Sequence, residues 1–140
     1  MKRLLLAVAI LTSTSLFAQK KADEIAKLNV STYDFGKIKQ NTPATAEIVV
    51  TNIGTDPLLI EQATPSCGCT VSDYTKTPIA PGKTGTIKAT YNAAALGQFD
   101  KTLTVKFAGA DDVKFVKLTG DVLAAAAYNA SKDTKASAKK

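Results

Sequence analysis

The sequence contains no histidine, and this absence removes several kinds of catalytic site. Without an imidazole there is no Ser-His-Asp triad, no Cys-His pair and no histidine-ligated zinc. The side chain that most often acts as a general base near neutral pH is also missing. No glycine-rich segment has the strand-loop-helix setting of a nucleotide site. An enzyme is therefore the less favoured class, and Cys67 and Cys69 are its only candidate reactive groups.

A hydrophobic run long enough to span a bilayer is also missing, since a spanning helix needs about 20 apolar residues. The apolar run from Leu4 to Leu11 is shorter, and it follows the basic residues Lys2 and Arg3. This pattern is typical of a secretory signal peptide, which we predict over residues 1–18. No cysteine lies near the cleavage site to carry a lipid anchor. We expect an exported protein that starts at Gln19 and is periplasmic or extracellular, where disulfides persist.

The centre of the chain has no excess of positive or negative charge, although the formal net charge of the whole chain is +6. Residues 28–122 carry nine basic and nine acidic side chains, so their net charge is zero. The excess lies in residues 1–27, with five basic and two acidic, and in residues 123–140, with four and one. A nucleic-acid binder needs positive charge clustered on a folded face. We therefore expect no nucleic-acid partner.

Composition divides the rest of the chain into three parts. Residues 19–27 are polar and predict a linker or a short helical lead-in. Residues 28–122 have the composition and size of one domain. Residues 123–140 are rich in alanine and lysine, and lack the apolar side chains that offset ordering entropy. We expect a flexible tail there, with at most one helical turn at Ala124–Ala127.

Apolar side chains alternate with polar ones along several segments of the domain. In residues 44–51, 86–91 and 99–107, one parity is mostly apolar and the other mostly polar, which indicates strands with one buried face. Lys101 interrupts the buried parity of its segment, so we place it near a strand end. Turn residues separate these segments, and a hairpin is predicted around residues 109–112. The pattern predicts an all-β, antiparallel sandwich.

The motif with the most specific chemistry is Cys67-Gly68-Cys69. In an ideal strand the two α-carbons would be about 6.6 Å apart, near the upper limit of about 6.8 Å for a disulfide. Gly68 would permit the bending that a bond requires, and Pro65 would stiffen the approach. A loop this short gains only about 1.6 kcal/mol from cross-linking before strain. We predict a local disulfide that is more easily reduced than a relaxed one, with Pro65, Ser66, Gly68 and Thr70 as supporting residues.

Three other interpretations of the cysteine pair stay open. Two thiolates suit Cu(I), whereas zinc would need two more ligands from elsewhere, so the metal assignment of the pair is unknown. Free cysteines also pack like small hydrophobic residues. Finally, the pair could shape a loop or sheet edge that binds a partner protein. Against a redox role, no basic residue is adjacent to lower a thiol pKa.

Two groups of carboxylates are candidates for further sites. Asp111 and Asp112 could bind calcium weakly, but aspartates are also favoured in hairpin turns, which is the preferred interpretation. Asp34 could pair with Lys37, and we place it at the surface before a glycine turn.

Several segments together resemble a bacterial family of secreted domains, the domain of unknown function 1573. "SCGCT" is the most specific of the matching pieces, which are YDFGKI (33–38), VTNIGTDPLLI (50–60), SCGCT (66–70), PIAPGKTGTI (78–87) and LGQFDKTLTV (96–105). The resemblance implies an immunoglobulin-like sandwich of seven or eight strands, similar to Hydin-like and major-sperm-protein-like domains. It implies little about activity, because a fold hosts many functions.

These observations lead to one expected function and one alternative. We expect an exported, non-enzymatic binding or structural module of the cell envelope, with a protein partner, no cofactor and no transmembrane segment. The alternative is a thiol–disulfide redox or Cu(I)-carrying protein that uses the same cysteine pair.

Overall fold

Two four-stranded β-sheets form a sandwich in the computed structural model, which describes residues 20–137. The predicted signal peptide and its cleavage site lie outside these residues. The elements, in chain order, are α1 (Ala22–Ile25), β1 (Ala26–Leu28), β2 (Thr32–Lys39), β3 (Ala44–Asn52), β4 (Ile60–Pro65), β5 (Thr70–Tyr74), β6 (Thr84–Tyr91), β7 (Gly97–Phe107), β8 (Val113–Leu123) and α2 (Ala125–Ser137). The predicted all-β, sandwich-like fold is confirmed.

The strand order shows how the chain moves between the sheets. One sheet has the order β1-β3-β6-β5 and the other β2-β8-β7-β4. Neighbouring strands are antiparallel except β2 and β8, which run parallel. The parallel pair arises where the chain leaves one sheet after β1 and joins the other sheet as the edge strand β2, beside β8. Alternation along single strands carried no information about this switch.

The interior is formed by the parities that the sequence predicted to be buried. Ile48 and Val50 of β3, Ile87 of β6 and Leu103 and Val105 of β7 are all fully buried. Burying one such side chain contributes about 1.5–3 kcal/mol, so this layer supplies most of the driving force for folding. A smaller cluster at one end of the sandwich contains Tyr91, Ala93, Phe99 and Val122.

The predicted linker is not a solvated segment from residue 22 onward. Ala22 and Ala26 are buried, with 1% and 0% of their surface exposed, and β1 pairs with β3 from Ala26 to Leu28. The backbone N–H of Ala22 also donates to Oδ1 of Asp112 at 2.6 Å. Small side chains allow this close packing, and alanine carries too weak a periodic signal to reveal it. Within this segment, residues 22–25 form the short helix α1.

The C-terminal segment is more ordered in the structure than a single helical turn. Leu123 ends β8, and α2 extends over thirteen residues from Ala125 to Ser137. Alanine and lysine are strong helix formers, and this propensity outweighs the lack of a large apolar face. The predicted flexibility of this segment remains a prediction.

One position in β7 also differs from expectation. Lys101 lies inside β7 rather than at its end, opposite Leu118 of β8. It is half-buried, and it lies beyond the end of β4, whose pairing with β7 stops at Leu103. In β8, Val116 and Leu118 are buried but Phe115 is 60% exposed on the outer face.

Candidate functional site: the Cys-Gly-Cys turn

The Cys-Gly-Cys segment lies in a tight turn between β4 and β5 rather than within a strand. The N–H of Thr70 donates to the carbonyl of Cys67 at 3.3 Å, which closes the turn. Turning brings the two cysteine α-carbons to 5.3 Å, and their Sγ atoms are joined in a disulfide. The ideal-strand geometry assumed from sequence would have placed the α-carbons about 6.6 Å apart. The pair thus reaches an ordinary disulfide spacing through the turn.

The turn connects edge strands of opposite sheets, because β4 ends one sheet and β5 ends the other. Hydrogen bonds hold it on both sides. Ser66 is fixed to β7, with its N–H donating to the Thr102 carbonyl at 2.8 Å and its Oγ accepting from the Thr102 N–H at 3.0 Å. On the other side the carbonyl of Cys69 accepts from the N–H of Asn92 at 3.0 Å. The chain crosses between the sheets over a fixed corner.

The two sulfurs have different surroundings, although both cysteines are half-buried. Cys69 packs against the cluster that contains Tyr91 and Phe99, whose stacked rings have centroids 4.0 Å apart. Sγ of Cys67 lies 3.9 Å from Oγ1 of Thr70, a threonine that is 3% exposed. A thiolate that attacks the disulfide would therefore have a polar group near the Cys67 sulfur and apolar side chains near the Cys69 sulfur.

The supporting residues contribute unequally to this geometry. Pro65 is the last residue of β4, opposite Leu103, and it has no N–H to offer at the sheet edge. Gly68 is exposed, its φ is not in the left-handed region, and a Cβ built on it meets no atom within 4 Å. The oxidised turn thus does not require the conformational freedom of Gly68 that the sequence argument invoked.

Side chains from β5 close the edge of β4 next to the turn. The hydroxyl of Ser72 donates to the Ala63 carbonyl, and that of Tyr74 donates to the Glu61 carbonyl at 2.9 Å. The N–H of Tyr74 is in turn occupied by Oδ1 of Asp73 at 2.9 Å. Together with the missing N–H of Pro65, these contacts reduce the number of backbone groups that this side offers to a further strand.

Of the other carboxylates considered from sequence, those of Asp112 and Asp34 accept hydrogen bonds, whereas Asp111 bonds through its backbone. Asp112 accepts from the N–H of Ala22, and the N–H of Asp111 donates to the Lys20 carbonyl at 3.2 Å. Oδ1 of Asp34 accepts from the N–H of Gly36 at 2.9 Å, where Gly36 has a φ of 64°. Within residues 20–137, no cluster of three or more metal-ligating His, Cys, Asp or Glu side chains is found.

Asn52 organises the neighbouring β3–β4 loop, and the sequence analysis did not single it out. Its side chain is 1% exposed and makes three hydrogen bonds. Nδ2 donates to the carbonyls of Asp56 and Ile79, both at 2.8 Å, and Oδ1 accepts from the N–H of Gly54 at 2.9 Å. The signal was present, since an asparagine before an Ile-Gly-Thr-Asp-Pro turn is placed to bond to nearby backbone.

Comparison with solved structures places the sandwich among PapD-like folds. A protein of unknown function from Porphyromonas gingivalis W83 superposes with a TM-score of 0.61 at 15% identity, over 69% of this chain and 46% of that one. The PapD-like domain 7 of human CEP192 gives 0.58 at 11% identity, over 89% and 99%. The secreted serine protease VesC from Vibrio cholerae gives 0.56 at 13% identity, over 74% and 24%.

These likenesses show the fold alone, and the chain spans less than half the length of the first and the last of them. No curated protein sequence matches the chain. Within the described residues, no helix is long and apolar enough to cross a membrane.

A family match covers nearly the whole sandwich, from residue 26 to residue 122, and bears the description "Protein of unknown function (DUF1573)". The matched range includes the Cys-Gly-Cys turn and all eight strands, apart from the last residue of β8. This chain belongs to the DUF1573 family.

Proposed function

We propose that this protein is an exported, non-enzymatic binding or structural module of the cell envelope, whose Cys67–Cys69 disulfide shapes a corner of the sandwich. The observation that carries the proposal is the position of the turn. It joins two edge strands of opposite sheets and is hydrogen-bonded to the backbone of β7 and of Asn92. A disulfide at this position restricts the conformations of the turn between the two edge strands. A binding surface that is ordered in advance loses less conformational entropy when a partner binds.

Two further observations support the binding and export parts of the proposal. The fold is shared with a PapD-like domain of human CEP192 and with part of a Vibrio cholerae serine protease described as secreted. The basic and apolar start of the sequence has the pattern of a signal peptide. In an exported chain with two thiols, a disulfide between them persists.

The second candidate is thiol–disulfide exchange, which one observation favours. Both cysteines are half-buried rather than enclosed, and the bond closes a loop with a sequence separation of only two. Such a loop constrains the unfolded chain weakly, so the bond adds little stability that would resist reduction. A Cu(I) site would use the same sulfurs after their reduction to thiolates.

The deciding experiment compares the wild-type chain with the Cys67→Ser, Cys69→Ser double variant. Each is used to capture partners from the envelope of the native cell, after thermal denaturation has shown that both are folded. We expect the same partners for both, because the scaffold and its hydrogen bonds remain.

Two outcomes would reverse this conclusion in favour of exchange. One is capture of a thioredoxin-like protein by the wild type alone. The other is a disulfide that equilibrates with glutathione at potentials well above about −300 mV, the region of labile disulfides.

A further inference from the structure

The four edge strands of the sandwich differ in how many backbone groups they leave free. β1 has only three residues, and the N–H of Ala26 already donates a hydrogen bond to the Ala22 carbonyl of α1. On the β4 and β5 side, the carbonyls of Ala63 and Glu61 and the N–H of Tyr74 already have side-chain partners. β2 has eight residues and lies at the end of its sheet, beside β8 alone. It is the longest of the four edge strands that the structure describes.

The register of β2 shows which residues face away from β8. The N–H of Lys117 donates to the Ser31 carbonyl, and that of Gln40 donates to the Leu123 carbonyl. Hydrogen bonds to a parallel neighbour involve every second residue. The residues that turn their N–H groups away from β8 are therefore Thr32 and Asp34 before the register shift, and Lys37 and Lys39 after it.

The hydrophobic core is incompletely covered along the same side. Most apolar side chains that pack against the core while staying partly exposed belong to β1, β2 or their connection, namely Leu28, Val30, Tyr33, Phe35 and Ile38. Tyr33 and Phe35 meet edge to face, with ring centroids 5.0 Å apart. We call these five residues the seam. A partly exposed apolar seam, beside backbone N–H groups that point away from β8, is the pairing of features that an added strand satisfies.

We propose that the β2 edge binds an extended segment of a partner polypeptide, about five to seven residues long, as an additional strand. Alternate apolar side chains of that segment cover the seam, while its backbone pairs with the outward groups of β2. This inference rests on the proposed binding function and names its surface.

The charges along the β2 edge indicate which side chains the partner segment carries between its apolar residues. Lys37 is exposed and Lys39 is half-buried, and both belong to the outward set. Asp34, the acidic member of the set, already accepts from the N–H of Gly36. Opposite charges facing each other across neighbouring strands stabilise the pair. The partner segment therefore carries acidic side chains at the positions between its apolar residues.

A second copy of this chain fits the edge less well than such a segment. Antiparallel pairing of two β2 strands about Ile38 would place Lys37 of each copy opposite Lys39 of the other, and like charges in that position destabilise. Pairing about residues 35 and 36 would oppose the two register shifts of β2, where the ladder is interrupted. A heterologous acidic strand meets neither obstacle.

The test uses three capped seven-residue peptides with the full chain. The first alternates glutamate and valine, the second has the same composition with its valines grouped, and the third alternates lysine and valine. Titration gives the dissociation constants, and amide hydrogen exchange reports on Thr32, Asp34, Lys37 and Lys39. We expect the first peptide alone to protect these amides at least about tenfold, while the N–H of Ser72 on β5 stays unchanged.

A matched pair of variants checks the role of charge. Lys37→Glu should weaken binding of the first peptide about fivefold, as expected when an exposed attractive pair becomes repulsive. Lys83→Glu makes the same charge change at an exposed turn before β6, in the other sheet, and should leave binding unchanged. Equal effects of the two variants, or equal binding of the three peptides, would overturn the proposal.

Other occupants give different results in the same experiment. Protection of the β2 amides that increases with protein concentration and needs no peptide would assign the edge to a second copy. Protection that is lost when residues 1–18 are removed would assign it to this chain's own N-terminal segment. Either result contradicts the proposal. If no peptide protects β2 but the cysteine double variant keeps its envelope partners, the binding module stands and only its location is wrong.

Discussion

Whether a glycine can be replaced depends on residues that are distant in sequence but close in the fold. A Cβ on Gly120 would lie 2.7 Å from both Cε1 and Cζ of Phe99 and 3.1 Å from the carbonyl oxygen of Gly36. The Phe99 ring is held by Tyr91 on its other side, so it has little room to move. Gly68, which attracted attention in the sequence, meets no such restriction. The close approach at Gly120 comes from packing between β2, β7 and β8, which the local sequence does not encode.

Replacement by alanine should therefore destabilise the protein at Gly120 but not at Gly68. Gly120→Ala should lower the free energy of unfolding by about 1–3 kcal/mol, because the new methyl group overpacks against the Phe99 ring. Gly68→Ala should change it by less than about 0.5 kcal/mol, as is usual for exposed positions. Urea denaturation measures both. A larger loss at Gly68 than at Gly120 would contradict the packing described here.

Asn52 is a second residue whose importance depends on burial. Asn52→Ala should lower the free energy of unfolding by about 2–4 kcal/mol, since it leaves the carbonyls of Asp56 and Ile79 and the N–H of Gly54 without their partner. Thr51→Ala, on the neighbouring residue, is the control. An equal, small loss for both in urea denaturation would show that water replaces the side chain of Asn52.

At the scale of elements, α1 and the β7–β8 hairpin hold each other in place. Asp112 accepts from the N–H of Ala22, and Lys114 at the start of β8 forms an ion pair with Asp23. Lys20 forms a further ion pair with Asp56 at 2.6 Å. Hydrogen bonding and charge attraction from Lys114 lower the pKa of Asp23 below its usual 3.8. The N-terminal segment is therefore fixed by charged contacts as well as by Ala22 and Ala26.

The lowered pKa of Asp23 sets the direction of a pH effect. Because the folded state binds the proton less tightly than the unfolded state, the contribution of this carboxylate is present above pH 3.8 and is lost as pH falls through the lowered pKa. Asp23→Asn should reduce stability slightly at pH 6, and the difference from wild type should shrink toward pH 2. Urea midpoints across this range measure it, and a constant difference would show that the ion pair contributes nothing.

At the scale of the whole molecule, the sandwich begins earlier than residue 28, where composition placed its boundary. β1 closes one edge of its sheet against β3, from Ala26 opposite Asn52 to Leu28 opposite Val50. Ala22 and Ala26 belong to the main core cluster. Residues 22–28 thus pack against the main core cluster and belong to the sandwich.

A chain that starts at Leu28 should be less stable than one that starts at Lys20. Removal of residues 20–27 exposes core and frees the N–H of Ile53, which now donates to Ile25, so we expect a loss of about 2–4 kcal/mol. The urea midpoint, together with amide exchange at Thr51 and Ile53, measures this loss. Removal of Lys132 to Lys140 serves as the control, with a change below about 0.5 kcal/mol. Equal stability of all three chains would restore the boundary predicted at residue 28.

The sequence alone determined which residues of β3, β6 and β7 face the core, because alternation with a period of two is a local property of a strand. It also determined that Cys67 and Cys69 are close enough to interact, since one residue separates them. The tertiary structure decided the order of the strands and the parallel pairing of β2 with β8. It also decided that side chains of β5 contact the edge of β4, and that β2 lies at the end of its sheet beside β8. Those features depend on contacts between residues far apart in the chain, such as Tyr74 with Glu61 or Gly120 with Phe99, and pairing of distant segments leaves no periodic signal in either segment.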